Sequence, residues 1–215
     1  MEITINLDMI NIIYEWQTLI GSFLGGVFAL AAALIVASRV TRREEVTSAM
    51  LVVRELTAVR VSVDSLKALA VRDNIKQEEY PFWSSEKLAK IHPRLSPLFE
   101  SSITRLMMID NILAAHLSLF SKIYAQVELV LDRLYEDYDH FSKSGKPLRR
   151  KEDIAADSKL VASHMELVLE HIDCADFLIS ELILSRCSYF NRARRFFWKN
   201  KKEKECAQIL LRDNS

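Results

Sequence analysis

The stretch WQTLIGSFLGGVFALAAALIVA, residues 16–37, decides how this chain is built. It contains no charged side chain and is apolar on every face. A helix in a water-soluble domain seldom stays so over this length. About 22 residues at 1.5 Å per residue reach about 33 Å, enough to cross the hydrocarbon core of a bilayer. The flanks set an orientation. Glu2, Asp8 and Glu15 precede the span without any Lys or Arg, and Arg39, Arg42 and Arg43 follow it at once. Basic residues stay on the cytoplasmic side. The sequence therefore predicts a short extracytoplasmic tail over residues 1–15, a transmembrane helix over 16–38 and a cytoplasmic domain over 39–215. Ala31 to Ala33 has the look of a cleavage site, but a signal peptide needs a basic start and a shorter apolar core, so processing is not expected.

Within the span, Gly21, Gly25, Ala29, Ala33 and Ala37 recur every fourth residue. That spacing puts five small side chains on one stripe, where a second helix can approach closely. The stripe predicts a homo-oligomer, a dimer through the anchor. The three arginines behind the span are placed to meet lipid head groups.

The remainder reads as helical. Among 215 residues there are only four Gly and four Pro, half of the chain is apolar, and Lys plus Arg balance Asp plus Glu at 29 each. Scarce breakers and abundant Leu, Ala, Glu, Lys and Arg favour long helices over a sheet. The balanced charge carries no global nucleic-acid signature, and a nucleic-acid partner is not expected. The fold class expected is all-α: one transmembrane helix followed by an antiparallel bundle of three long helices, at about 42–75, 98–141 and 154–199. Val46, Ala49, Val53, Leu56, Val63 and Leu66 mark the first with coiled-coil-like spacing, interrupted by Arg60. Phe99, Ile103, Leu106, Asp110, Leu113, Leu117, Phe120, Tyr124, Val127, Leu131, Leu134, Tyr138 and Phe141 mark the second. Val161, Met165, Val168, Ile172, Ala175, Ile179, Leu182, Arg186 and Tyr189 mark the third.

Each of the last two stripes holds one charge. Short linkers join antiparallel helices, and a turn near Pro147 sets Asp110 opposite Arg186. The sequence thus predicts an Asp110–Arg186 ion pair in the hairpin. Between the first two helices lies YPFWSSEKLAKIHPRLSP, residues 80–97, whose three prolines cannot sit inside one continuous helix. Ser85 is placed to cap a short turn ending near Ile91. Tyr80, Phe82 and Trp83 form an aromatic knot that either plugs the bundle or binds a partner.

Charge is segregated along the second half. Residues 152–181 hold eight acids and one base, residues 186–204 eight bases and one acid, and residues 143–151 five bases and no acid. If the first helix leads away from the membrane and the second returns, Lys146, Arg149, Arg150 and Lys151 come near the inner leaflet and its anionic head groups. Arg192, Arg194, Arg195 and Trp198 then form a basic, aromatic tail far from the bilayer, a candidate partner-binding segment. On this path it meets a protein or nucleic acid more easily than lipid; it meets lipid if the third helix kinks back, and otherwise is a solvated helix end.

Several chemistries find no support in the motifs. Asp137-x-x-His140 occurs once, where a carboxylate-bridged di-metal bundle needs repeated Glu-x-x-His. His164, His171 and Cys174 share a flank and are ligand types, but no fourth ligand has matching spacing, so neither metal nor cofactor is expected. The three cysteines, Cys174, Cys187 and Cys206, read as reduced thiols. Glycine-rich phosphate loops and nucleophile elbows are missing, and catalytic residues are not expected.

The opening Trp16-Gln17-Thr18-Leu19-Ile20, with its Gly/Ala-rich span and Arg39, Arg42 and Arg43, resembles the anchors of uncharacterised single-pass bacterial membrane proteins. The resemblance covers about the first fifth of the chain. It implies a bacterial inner-membrane location and transfers no activity. The expected function is a non-enzymatic, membrane-anchored scaffold or interaction protein. The alternative is a membrane effector or sensor of a stress or phage-defence system, for which a polar-lined span would speak; only Ser22 lies well inside.

Overall fold

The computed structural model describes residues 7–185, 187–198 and 200–213, and among these no strand occurs. The elements in chain order are α1 (Leu7–Arg72), α2 (Tyr80–Ile91), α3 (Leu98–Met107), α4 (Asn111–Ser144), α5 (Lys151–Ile179), a π-helical turn (Ser180–Leu184), α6 (Ser188–Phe197) and α7 (Lys201–Asp213). The chain divides into two compact units, residues 1–44 and 45–215.

The first unit is the amino-terminal part of α1. Its apolar side chains are exposed, from Trp16 through Val36. Its hydroxyls are satisfied within the helix: Thr18 donates to the Tyr14 carbonyl at 3.0 Å, and Ser38 to that of Ile35 at 2.9 Å. Such back-bonding is how polar side chains fit an apolar span. The expected boundary between anchor and first cytoplasmic helix does not break the helix, because residues 38–46 contain neither Gly nor Pro.

The second unit encloses the core. Ala49, Val52, Leu56, Val59, Val63 and Leu66 on α1 are buried with the α4 stripe from Leu113 to Leu134 and the α5 stripe from Val161 to Ile179. The arrangement of α4 and α5 is antiparallel: early α4 meets late α5 at His116–His171, and late α4 meets early α5 at Arg133–Asp157. Gly145 ends α4 with φ at 67°, the left-handed conformation that glycine adopts without penalty.

Three expectations are corrected here. The helix expected over 98–141 is two helices. Asp110, read as a charged member of a continuous stripe, is the N-cap of α4 and accepts from the Ile112 and Leu113 backbone N–H groups. An aspartate in extended conformation starts a helix better than it sits within one. The helix expected over 154–199 ends in the π turn, followed by α6 and α7. Freed carbonyls there find new donors, with Asn191 Nδ2 on Glu181 O at 3.0 Å and Arg192 Nε on Leu182 O at 2.9 Å. The arginines read as a basic tail, Arg192, Arg194 and Arg195, lie on α6, and α7 follows from Lys201. Finally, α2 is a full helix with a proline in its first turn. Ser85 lies inside it, buried, with its Oγ 2.9 Å from that of Ser158 on α5.

Candidate functional site

Helices α4, α5 and α7 converge on four buried side chains with soft or borderline donor atoms. His116 on α4 and His171 on α5 are fully buried, Cys174 lies one turn beyond His171, and Cys206 comes from α7. The i,i+3 spacing of His171 and Cys174 sets both on one face of α5. One ring nitrogen of His116 and the sulfurs of Cys174 and Cys206 all lie within 4.8 Å of one another.

Hydrogen bonding orients the rings. His116 Nε2 is 3.1 Å from the Cys206 carbonyl oxygen, which only accepts, so Nε2 carries the proton and donates. His116 Nδ1 is then the acceptor for the Nδ1–H of His171, 3.0 Å away. The two thiols interact as well. A hydrogen bond from the Cys174 thiol holds the Cys206 pKa below its usual value, with Lys202 and Arg195 assisting. Cys174 is driven the other way, first by that bond and then by burial.

A charged layer abuts this centre. Arg195, buried at the end of α6, lies 3.1 Å from Asp110 Oδ2 and 3.5 Å from Glu203 Oε1. Arg194 reaches Glu203 at 3.4 Å and Glu181 at 4.0 Å. Asn200 and Glu203 form a reciprocal capping box: the Asn200 N–H donates to Glu203 Oε2, and the Glu203 N–H to Asn200 Oδ1, both at 2.8 Å. The box starts α7 and so delivers Cys206 to the centre.

The residues singled out in the sequence fall as follows. Asp110 meets Arg195; the expected partner Arg186 lies outside the described residues. Arg192, Arg194 and Arg195, read as partner-binding, are joined to Glu45, Glu203 and Asp110 respectively. Trp198 is exposed. Of the aromatic knot, Trp83 packs on the core and Tyr80 lies beside it. Phe82 is half exposed, edge-on to Tyr138 at 5.9 Å. It lines a groove of about 320 Å³ with Phe141, Pro147, Lys151 and Ile154. Among the candidate head-group contacts, Arg39, Arg43, Lys146, Arg150 and Lys151 are exposed and Arg42 is half-buried. Arg149 is instead held by buried Asp137 and by Asp157, with N–O distances of 2.5 to 2.9 Å. Gly21, Gly25, Ala29, Ala33 and Ala37 are all exposed, and a Cβ added at Gly21 or Gly25 meets nothing within 4 Å.

The acidic run along α5 faces bases from several elements. Arg60, the residue that interrupts the α1 stripe, pairs with Asp173 and Asp176; Arg212 pairs with Glu170, and Arg133 with Asp157. Asp137 and His140 do not share a site, since His140 Nδ1 turns to the Lys146 carbonyl. His164 likewise bonds the Leu160 carbonyl, exposed and apart from the His116 centre. Two of the centre's members, His116 and Cys206, carry no local signal in the sequence. Comparison with protein-family models, curated proteins and solved structures finds no match for this chain.

Proposed function

We propose that the chain is a single-pass membrane protein whose helical domain serves as a non-enzymatic interaction module in the cytoplasm, paired with a second copy through its anchor. The observation that carries this reading is the uncharged segment 16–37, whose large apolar side chains are exposed along a single helix. In water that surface would be strongly unfavourable; in lipid it is the ordinary surface of a spanning helix. Arg39, Arg42 and Arg43 favour an outside amino terminus in a bacterial inner membrane. The Gly/Ala stripe supports pairing, and the groove beside Phe82 supports docking of a protein.

Two measurements test it. Reporters fused to each end should place the carboxyl terminus in the cytoplasm and the amino terminus outside; the reverse overturns the topology. Gly25→Ile should weaken self-association of the full chain in membranes several-fold. Since no contact in the described structure opposes a Cβ there, unchanged association would overturn the pairing.

A second reading, a membrane-tethered sensor, is favoured by one observation: the His/Cys centre joins the last helix to the body of the domain.

A further inference from the structure

We propose that His116, Cys174 and Cys206, with His171 as fourth donor, form a zinc-binding centre that fastens α7 onto α4 and α5. This stands on the cluster alone and does not depend on the membrane reading.

The donor set comes first. Two thiols and two imidazoles are the ligands that tetrahedral structural zinc takes. All four are buried, which matches a closed site. The spacing is close to what a metal needs. Zinc–nitrogen bonds of 2.0–2.1 Å at a tetrahedral angle put two nitrogen ligands about 3.3 Å apart, and zinc–sulfur bonds near 2.3 Å put two sulfurs about 3.8 Å apart. The Nδ1 atoms of His116 and His171 are 3.0 Å apart, and the His116 nitrogen and both sulfurs lie within 4.8 Å of one another.

Orientation follows. A ligating histidine usually donates its other ring N–H to a carbonyl or carboxylate, which fixes the tautomer. His116 already does so: Nε2–H donates to the Cys206 carbonyl and leaves Nδ1 for the metal. That the acceptor is the backbone of another ligand ties the histidine on α4 to the cysteine on α7.

The protons balance. Zinc entering the site displaces one proton from each thiol, and both leave to solvent. His171 moves its Nδ1 proton to Nε2 and binds as a neutral ring; His116 keeps its Nε2 proton. The product is Zn²⁺ with two thiolates and two neutral imidazoles, a neutral unit suited to burial. A disulfide between Cys174 and Cys206 is the competing use of these thiols, but it gives no role to the His116 nitrogen beside them or to His171, whose Nδ1 lies 3.0 Å from His116 Nδ1.

The test uses the full chain purified in detergent with reductant, stripped by a chelator and titrated with Co²⁺. Wild-type protein should develop the visible bands of tetrahedral cobalt with thiolate ligands, saturating at about one ion per chain and bleached by zinc. The double variant Cys174→Ala/Cys206→Ala, and His116→Ala alone, should lose the bands; Cys187→Ala should keep them. The second readout needs no variant. Zinc should slow alkylation of Cys174 and Cys206 in wild-type protein relative to the stripped form, and leave exposed Cys187 unaffected. Absence of thiolate bands in the stripped wild type, equal alkylation with and without zinc, or recovery of a Cys174–Cys206 disulfide in place of bound metal would each overturn the proposal.

Discussion

The carboxylate of Asp110 and the guanidinium of Arg195 meet at 3.1 Å, joining the start of α4 to the end of α6. The same carboxylate caps α4 through its other oxygen, accepting from Ile112 N–H at 3.0 Å and Leu113 N–H at 2.9 Å. One short side chain thus ends the α3–α4 turn and neutralises a cation whose side chain is only 6% exposed.

Asp110→Ala removes the cap and leaves Arg195 with Glu203 as its remaining acid among those placed here. The expected loss is about 2–4 kcal/mol, from about 1 for the cap and the rest for the weakened buried pair. Asp110→Asn keeps an N-cap acceptor and should cost less. Denaturant unfolding of the full chain in detergent, followed by circular dichroism, measures both. Equal stability of Asp110→Ala and wild type would show that neither interaction matters.

The Arg149–Asp137 pair fastens the α4–α5 turn, with Asp137 2% exposed and Arg149 also bonded to Asp157. Removing one partner of a buried pair leaves an uncompensated charge, so Arg149→Met should cost about 3 kcal/mol. The double change Asp137→Asn/Arg149→Met should cost less than the sum of the single changes, and a double-mutant cycle reads the difference. Strict additivity would mean that the two side chains do not interact in solution.

Glu128 gives a pH signature. Burial pushes its carboxyl above the usual carboxylate range, against the opposing pull of His92, the Leu95 backbone and Arg94. A group whose folded pKa exceeds its unfolded value binds its proton more tightly in the folded protein. Its contribution is therefore fully present below the unfolded pKa and is lost as pH rises through the folded one. Glu128→Gln should be more stable than wild type at neutral pH, with the gap closing toward about pH 4. Unfolding midpoints at several pH values check this; a gap that widens toward acid would reverse the sign.

Much of the core was legible in the spacing of apolar residues. Every member of the α3–α4 stripe from Phe99 to Leu134 is buried except Asp110. The break at Asp110 was hidden because the stripe keeps its phase across it, so periodicity sees one helix where there are two. Aspartate as an N-cap was the available signal. The start of α7 was also written locally, as Asn200-Lys-Lys-Glu203, a pattern that caps helices reciprocally. Net charge drew attention to the arginines of this region as a free basic surface. Segregated charge says only that bases need acids, and here Glu45, Glu181, Glu203 and Asp110 supply them within the chain. The His/Cys centre was legible only in half. His171 and Cys174 share a helix face, whereas His116 and Cys206 reach it from helices whose meeting depends on the misread segment after the π turn.

Membrane anchoring is tested most directly by fractionating cells that express the full chain and washing the membranes at alkaline pH before ultracentrifugation. Wild-type protein should stay in the pellet and move to the supernatant only with detergent. Leu24→Arg/Phe28→Arg, which adds about 6–8 kcal/mol to the cost of insertion on the translocon scale, should shift it out of the membrane fraction. Wild-type protein released by the alkaline wash alone, or a double-arginine variant that stays as firmly in the pellet as wild type, would contradict a spanning helix at residues 16–37.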